Sequence, residues 1–342
     1  MPNQITSSLY VRVSNMVSTL GNNPEAYCCA IDAGFTQVKP QSDFALVVGD
    51  RDYSSGIMLS QLDGLQGMSR EQRIQLLLSE IEIITPTNSV LLTLIPDELS
   101  ERILKSLSEV LIDFTHIEAL ASDTSLSVII EKVSSLLNDQ GHDSVMLLTA
   151  DSLIDFNTLF KAGQSIPLAD NTGLPGLIPG EAAVLLELSK TPLPDSVKLK
   201  SIVGEAALTD NKKRVKSIRS SIQQLLLEMS ESAVAMQKAG IKHYDSLVVD
   251  NPAFGAEVEW HGIRMNLSPA EKRQLPKLPL YPTRQHGFPG VTSIWLCLAY
   301  LQGKRDFPFT TQPPCLLIDA TQKHERNLLL VEVEYDEQGY LS

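Results

Sequence analysis

One stretch, Asn171 to Leu188, constrains the fold of this chain more than any other. It begins with turn-forming residues, among them three glycines and two prolines, and continues into an unbroken apolar run from Ala182 to Leu186. A short apolar run bounded by Gly and Pro is typical of a β-strand that is buried on both faces, as in the centre of an α/β sheet. The sequence therefore predicts a central strand here, covered by other elements on both sides.

Composition places the chain among ordinary globular proteins. It has 342 residues, of which 43% are hydrophobic and 20% are charged, so length alone allows two or three domains. The net charge is −13, the pI is about 4.9, and no basic run is longer than Lys212-Lys213-Arg214. We therefore expect no binding to nucleic acid, and we expect long-range repulsion of other strongly acidic proteins.

The cysteines and the N-terminus indicate a cytoplasmic protein. No apolar run approaches the roughly 20 residues of a membrane helix, and MPNQITSSLY lacks the basic and apolar segments of a signal peptide. Cys28, Cys29, Cys297 and Cys315 match no common zinc spacing. We expect reduced thiols, with no metal and no cofactor.

Strand-type and helix-type patterns alternate along the chain. Ser69 begins a capping box, and Asp97 is predicted to cap a helix that ends near Asp113. The strand patterns occupy Leu9 to Val17, Val90 to Ile95, Thr115 to Ala121, Val145 to Leu148, Ile202 to Gly204, Ser246 to Val249, Leu316 to Asp319 and Leu328 to Val333. The main helix patterns between them are Ser127 to Leu137, Val215 to a C′ glycine at Gly240, and Val291 to Leu301. This order predicts an α/β protein with mainly parallel sheets.

Several segments resemble β-ketoacyl synthases of the thiolase superfamily. Pro179-Gly180-Glu181-Ala182-Ala183 resembles their PGEGA signature. In chain order, the other matching segments are SNMVSTLGNNPEAYCCAIDAG, HDSVMLLTADSLIDFNTLFKAG, LKSIVGEAALTD, YDSLVVDNPAFG and TRQHGFPGVTSIWLCLAYLQG. The resemblance implies an α/β, thiolase-like fold of two similar halves, residues 1–188 and 189–342. Each half should hold a mainly mixed or parallel five-stranded sheet, with helices in αβαβα layers.

The family's nucleophile is absent from its expected position. The resemblance implies a Cys at a helix N-terminus, where the helix dipole favours the thiolate that takes the acyl chain. That position falls within Asp123-Thr124-Ser125, and none of the four cysteines lies there. Ser125 is a nucleophile in principle, but no base is near it in sequence, and the plainer interpretation of Ser125 and Asp123 is a helix N-cap.

The two active-site histidines and a glycine-rich loop of the family are also altered. The first His position falls on Asp250 and Asn251, and Asn before Pro is also ordinary turn chemistry. The second falls on Gly287, with His286 one place early, so His286 is either a catalytic remnant or a structural residue. The loop expected to support the oxyanion corresponds to 319–327, which contains no Gly. Losing all these elements together predicts a chain that is not catalytic by itself.

A ketosynthase-like chain without its catalytic residues resembles the chain length factor subunits of type II polyketide synthases. The resemblance implies a heterodimer with an active β-ketoacyl synthase. The two subunits together would enclose an acyl or polyene tunnel, as in aryl polyene or fatty-acid-like biosynthesis. Members of this family often carry Gln at the Cys position, and 121–127 contains none. Because acyl carrier proteins are acidic and this chain has a net charge of −13, we expect the carrier to dock mainly on the partner.

Dimerisation in this fold joins two sheets through the strand that precedes the nucleophile, here 113–121. The candidates for the interface and the tunnel end are Ile112, Phe114, His116 and Ile117, and for the apolar ones ordinary core is an equal alternative. Two other functions stay open. The first is a stand-alone acyltransferase or decarboxylase that uses His286 with Ser125 or Cys28. The second is a purely structural partner subunit.

Overall fold

The structure is a computed structural model. It describes residues 3–5, 8–44, 46–84, 86–107, 111, 114–173, 175–205, 211–228, 245–250, 256–276, 278–305, 314–322 and 325–333. The predicted helix end at Gly240 lies outside these residues. The strands are β1 (Asn3–Ile5), β2 (Leu9–Ser18), β3 (Val38–Gln41), β4 (Val47–Val48), β5 (Arg51–Asp52), β6 (Ile57–Ser60), β7 (Ser89–Leu94), β8 (His116–Leu120), β9 (Ser144–Ser152), β10 (Glu181–Ser189), β11 (Val197–Glu205), β12 (Asp245–Asp250), β13 (Cys315–Ala320) and β14 (Arg326–Val333).

The large strands form one mixed sheet whose two halves follow the same order. The sheet runs β12-β13-β14-β11-β2-β10-β9-β7-β8. In each half the last strand in sequence, β10 or β14, is antiparallel to both of its neighbours, whereas β7, β8 and β9 pair in parallel, as do β12 and β13. The halves meet where β2 pairs with β11. Outside β12, a single parallel bridge from Leu247 to Leu280 takes the place that β8 has beside β7.

The predicted central strand is confirmed as β10. Every residue of β10 is buried, because both faces of the sheet are covered. Side chains alternate between the two faces, as the period of a strand requires. Ala182 and Val184 belong to the core on one face, and Ala183 and Leu185 belong to the core on the other.

Helices form three layers around the two halves of the sheet. The helices are α1 (Pro24–Asp32), α2 (Arg70–Ser79), α3 (Asp97–Ser106), α4 (Leu126–Asn138), α5 (Phe156–Ser165), α6 (Asn211–Glu228), α7 (Ala256–Asn266), α8 (Pro269–Gln274), α9 (Thr283–His286) and α10 (Ser293–Arg305), with a 3₁₀ turn at Gly290–Thr292. Helices α1, α4 and α10 share one core with both halves of the sheet, α2 and α3 cover the outer face of one half, and α6 and α7 cover that of the other. Since α10 is sandwiched between the halves, it is buried on all sides from Ser293 to Gly303. This confirms the predicted αβαβα layers. Among the described residues, no helix is both long and apolar enough to cross a membrane.

Three predicted helix boundaries are corrected. The capping box at Ser69 is confirmed, but Asp97 is the first residue of α3 and not its cap, and the N-cap is Pro96. The Asp97 carboxylate instead accepts a hydrogen bond from the backbone N–H of Ser122 at 2.7 Å. Helix α3 ends at Ser106 rather than near Asp113, and α10 begins at Ser293 rather than Val291 because a 3₁₀ turn precedes it.

Candidate functional site

A cavity of about 210 Å³ lies where α4 and α10 begin and where β9 and β13 end. Helix N-termini and the carboxyl ends of parallel strands are the usual places for ligands in α/β proteins, because backbone N–H groups and short loops converge there. The lining residues are Leu94, Ser122, Thr124, Leu126, Ile129, Asp151, Phe288, Gly290, Val291, Ile294, Trp295, Asp319, Thr321 and Gln322. The cavity is therefore built by both halves of the molecule.

The start of α4 presents hydroxyl groups and no thiol. Ser125 is the buried N-cap of α4, and its Oγ accepts a hydrogen bond from the backbone N–H of Val128 at 3.4 Å. Its Oγ also lies 3.1 Å from Oγ of Ser127, which donates to Glu325 at 3.3 Å. Asp123 is exposed, and Thr124 is half-buried in the cavity wall. Among the described residues, no hydrogen bond joins Ser125 to an imidazole.

The structure places the cysteines away from this helix start. Cys28 lies in α1, Cys297 in α10 and Cys315 in β13, all buried, while Cys29 is exposed. Burial and then the carboxylate of Asp32 raise the pKa of the Cys28 thiol to about 12. At this pKa almost no thiolate forms near pH 7, so Cys28 is poorly suited to act as a nucleophile.

His286 does not line the cavity. It is buried at the end of α9, where its ring centroid lies 5.7 Å from that of Tyr27, and burial lowers its pKa to about 3. Neither ring nitrogen has a hydrogen-bond partner among the described residues. The next residue, Gly287, has a φ of 74°, and a Cβ there would lie 2.9 Å from Cβ of Ser60. The loop therefore needs glycine for close packing, and it brings Phe288, not His286, to the cavity.

Only part of the other predicted histidine position can be placed. Asp250 is the last residue of β12 and pairs with Ala320 in the neighbouring strand. Asn251 lies outside the described residues.

Two aspartates at equivalent strand ends line the cavity, and the sequence interpretation missed both. Asp151 lies near the end of β9 and Asp319 near the end of β13. Each follows a short apolar run, LLTAD or LLID, which is the sequence signal that could have identified them. In an α/β sheet, a polar residue that ends a buried strand lies at the edge where ligands bind.

The two aspartates are held differently. Oδ1 of Asp151 accepts two hydrogen bonds from Arg70, at 2.8 and 3.1 Å, and Oδ2 accepts one from the backbone N–H of Val291 at 3.3 Å. Burial raises the pKa of Asp151 even though Arg70 opposes the shift. Asp319 accepts instead from neutral groups, from Thr321 at 2.7 and 3.0 Å and from Asn327 at 3.2 Å.

The rest of the cavity wall mixes apolar side chains with the polar Ser122, Thr124 and Gln322, and it includes an indole N–H without an acceptor. Trp295 is completely buried, and its Nε1–H has no acceptor among the described residues. Gly290 has a φ of 56°, and a Cβ there would lie 1.9 Å from Oδ2 of Asp151. The backbone must therefore be glycine at this point. The described wall offers carboxylates, hydroxyls and an indole, which can bind a small ligand but provide neither a thiolate nor an imidazole for Claisen chemistry.

The predicted interface strand lies at the end of the sheet. β8 pairs with β7 and is the last strand on this side of the described sheet. His116 and Ile117 are exposed on it, with Ile117 38% exposed. Phe114 is buried, in the core between the sheet and helices α2 and α3, and Ile112 lies outside the described residues.

Comparison with known proteins identifies the fold. No protein-family model matches the chain, and no curated protein matches it in sequence. The ishigamide ketosynthase/chain length factor is 10% identical, with a TM-score of 0.56, over 96% of this chain and 98% of that chain. The PfaC keto synthase-chain length factor is 10% identical, with a TM-score of 0.59, over 96% of this chain and 43% of that chain.

At such low identity these matches establish the fold and nothing finer. The chain therefore has the thiolase-like α/β fold of the ketosynthase and chain length factor structures, which confirms the fold that its sequence motifs predict.

Proposed function

We propose that this chain is a non-catalytic, ketosynthase-like subunit that forms a heterodimer with an active β-ketoacyl synthase and shapes its acyl tunnel. The observation that carries the proposal is a retained fold with a changed catalytic centre. Ser125 caps the helix start where the family has its thiol, and His286 is buried outside the cavity. Two solved structures of like fold, the ishigamide ketosynthase/chain length factor and the PfaC keto synthase-chain length factor, support the same role here.

The exposed edge of β8 is the proposed contact with the ketosynthase. An unpaired strand edge offers backbone N–H and C=O groups to a second strand, and His116 and Ile117 are exposed beside it. We keep Ile112 and Phe114 as candidates for the tunnel end. The buried position of Phe114 supports a core role equally well.

The remaining parts of the proposal rest on the sequence. We propose that the product is a polyketide, polyene or fatty-acid-like chain, that the carrier protein docks mainly on the partner, and that the halves divide after Leu188. Four free cysteines support a reducing, cytoplasmic location.

Co-expression of this chain with a ketosynthase that is encoded by a neighbouring gene tests the proposal. We expect the two chains to purify together, and condensation activity to require both of them. In isolation, this chain should not become acylated by an acyl-thioester.

Two results would favour the other functions. Acylation of the isolated chain, lost in Ser125→Ala, would favour a stand-alone acyltransferase, a function that the hydrogen bonds from Ser125 through Ser127 to Glu325 support. A complex whose partner is equally active alone would favour a purely structural subunit.

A further inference from the structure

A groove runs between α6 and α7 on the outer face of the second half, and it shares no lining residue with the cavity described above. It has a volume of about 480 Å³. Helix α6 contributes Lys212, Val215, Lys216 and Arg219, and helix α7 contributes Val258, Gly262 and Asn266. These residues recur at spacings of three and four, so each set forms one face of its helix.

The floor of the groove is apolar and exposed. The helices approach closely at Gly262, where an added Cβ would lie 3.3 Å from a methyl group of Val215. Val258 is 76% exposed, and Met265, two turns further along α7 and just outside the groove lining, is 79% exposed. An exposed apolar strip that includes Met is typical of a protein contact surface.

The walls are basic although the whole chain is acidic. The first part of α6, Asn211 to Arg219, contains five basic residues and no acidic one. The two carboxylates of α7 are engaged elsewhere, Glu257 with Arg284 at 2.5 Å and Glu259 with Arg326 at 2.9 Å. Within the described part of the chain, Lys216 forms no ion pair.

We propose that this groove binds an acidic amphipathic helix of a partner protein. Apolar side chains of the helix would pack on Val215 and Val258, and its carboxylates would face Lys216 and Arg219. A helix lying in an apolar groove between two helices is a recurrent mode of recognition. The net charge of −13 does not prevent this contact, because charges further apart than about 10 Å are largely screened at 0.1 M salt. The proposal does not depend on the proposed function.

A pair of synthetic helices tests the proposal on the full chain. Both are about 18 residues long, enough to form a helix with leucine along one face, and they differ only in carrying Glu or Lys at the other positions. Fluorescence anisotropy should show saturable binding of the Glu peptide and none of the Lys peptide. Lys216→Glu should weaken binding about tenfold, since removing one close charge pair is of that order. Val258→Asp should weaken it similarly, and added salt should weaken it further.

Lys39→Glu is the matched control, because it makes the same charge change at an exposed position of β3 in the other half. It should leave binding unchanged. Equal binding of both peptides, or equal effects of Lys216→Glu and Lys39→Glu, would overturn the proposal. So would binding to phosphatidylglycerol vesicles without binding to the Glu peptide, which would assign the groove to a membrane surface.

Discussion

Two buried ion pairs tie the first residue of an inner strand to an outer helix, one in each half of the molecule. Glu181 at the start of β10 accepts hydrogen bonds from Arg73 of α2 at 3.0 and 3.2 Å. Arg326 at the start of β14 donates to Glu259 of α7 at 2.9 and 3.1 Å. The same contact therefore recurs with the charges exchanged. Arg326 also donates to the backbone carbonyl of Gln322, so it holds a loop of the cavity wall.

Arg73→Ala should destabilise the protein strongly. Arg73 and Glu181 are both 0% exposed, and removing one partner leaves a buried charge uncompensated, which costs about 3–5 kcal/mol. Urea unfolding followed by circular dichroism measures the loss. Arg102→Ala is the control, since Arg102 pairs with Glu71 on the surface and is 62% exposed, and it should cost less than about 1 kcal/mol. Equal losses in both variants would contradict this assignment.

Buried His286 should make the protein less stable in mild acid. Its folded-state pKa is lowered to about 3, so the unfolded state binds the proton first, and stability falls as the pH drops below the ordinary value near 6.5. Between pH 7 and pH 5 this one group should cost about 2 kcal/mol. The variant His286→Phe should lose that much less stability over the same interval, while the exposed control His261→Phe should follow the wild type. Identical pH profiles for all three proteins would refute the buried neutral imidazole.

At the scale of elements, substitutions of Ser125 at the start of α4 test whether this residue is a helix cap. If Ser125 only caps the helix, Ser125→Ala should cost about 1 kcal/mol of stability, and Ser125→Asn should restore it because Asn caps equally well. Both are measured by urea unfolding. Ser220→Ala, on the exposed face of α6, should change stability by less than about 0.5 kcal/mol. A stability unchanged in Ser125→Ala would show that the cap contributes nothing.

The elements that could be predicted are those whose signal is local. The buried strand β10 follows from one apolar run, and the capping box at Ser69 follows from two residues three apart. Asp97 resembles a cap in sequence just as well, but its carboxylate binds the N–H of Ser122, 25 positions away. Such a contact depends on packing, so the local pattern could not exclude it.

In the candidate site, too, the sequence predicts local features but not contacts that depend on packing. The absence of a thiol at the start of α4 is visible in the sequence, because none of the four cysteines lies between residues 30 and 296. The separation of His286 from the cavity is not visible, because it depends on the turn at Gly287 packing against Ser60. The cavity itself is built from residues of both halves that are far apart in sequence, such as Asp151 and Asp319.

At the scale of the whole molecule, the two ends of the sheet differ. Beyond β12 the chain adds the bridge at Leu280, which hydrogen-bonds to the backbone of Ser246 and Val248 at 2.9 Å in each case. Beyond β8 the described chain adds no strand. Free strand edges pair readily with other chains, so this asymmetry supports the proposal that β8 is the edge at which a partner chain adds its sheet.

If the proposed contact through β8 is right, Ile117→Asp should prevent association with the proposed ketosynthase partner. It places a charge on the exposed edge strand, where an interface would bury it, and burying an unpaired charge costs several kcal/mol. Since Ile117 is 38% exposed in the single chain, the variant should fold with little loss of stability. Co-purification and analytical ultracentrifugation measure the association. Ile84→Asp is the matched control, because Ile84 is also exposed, at 66%, and lies outside β8. Loss of association in both variants, or in neither, would exclude β8 as the contact strand.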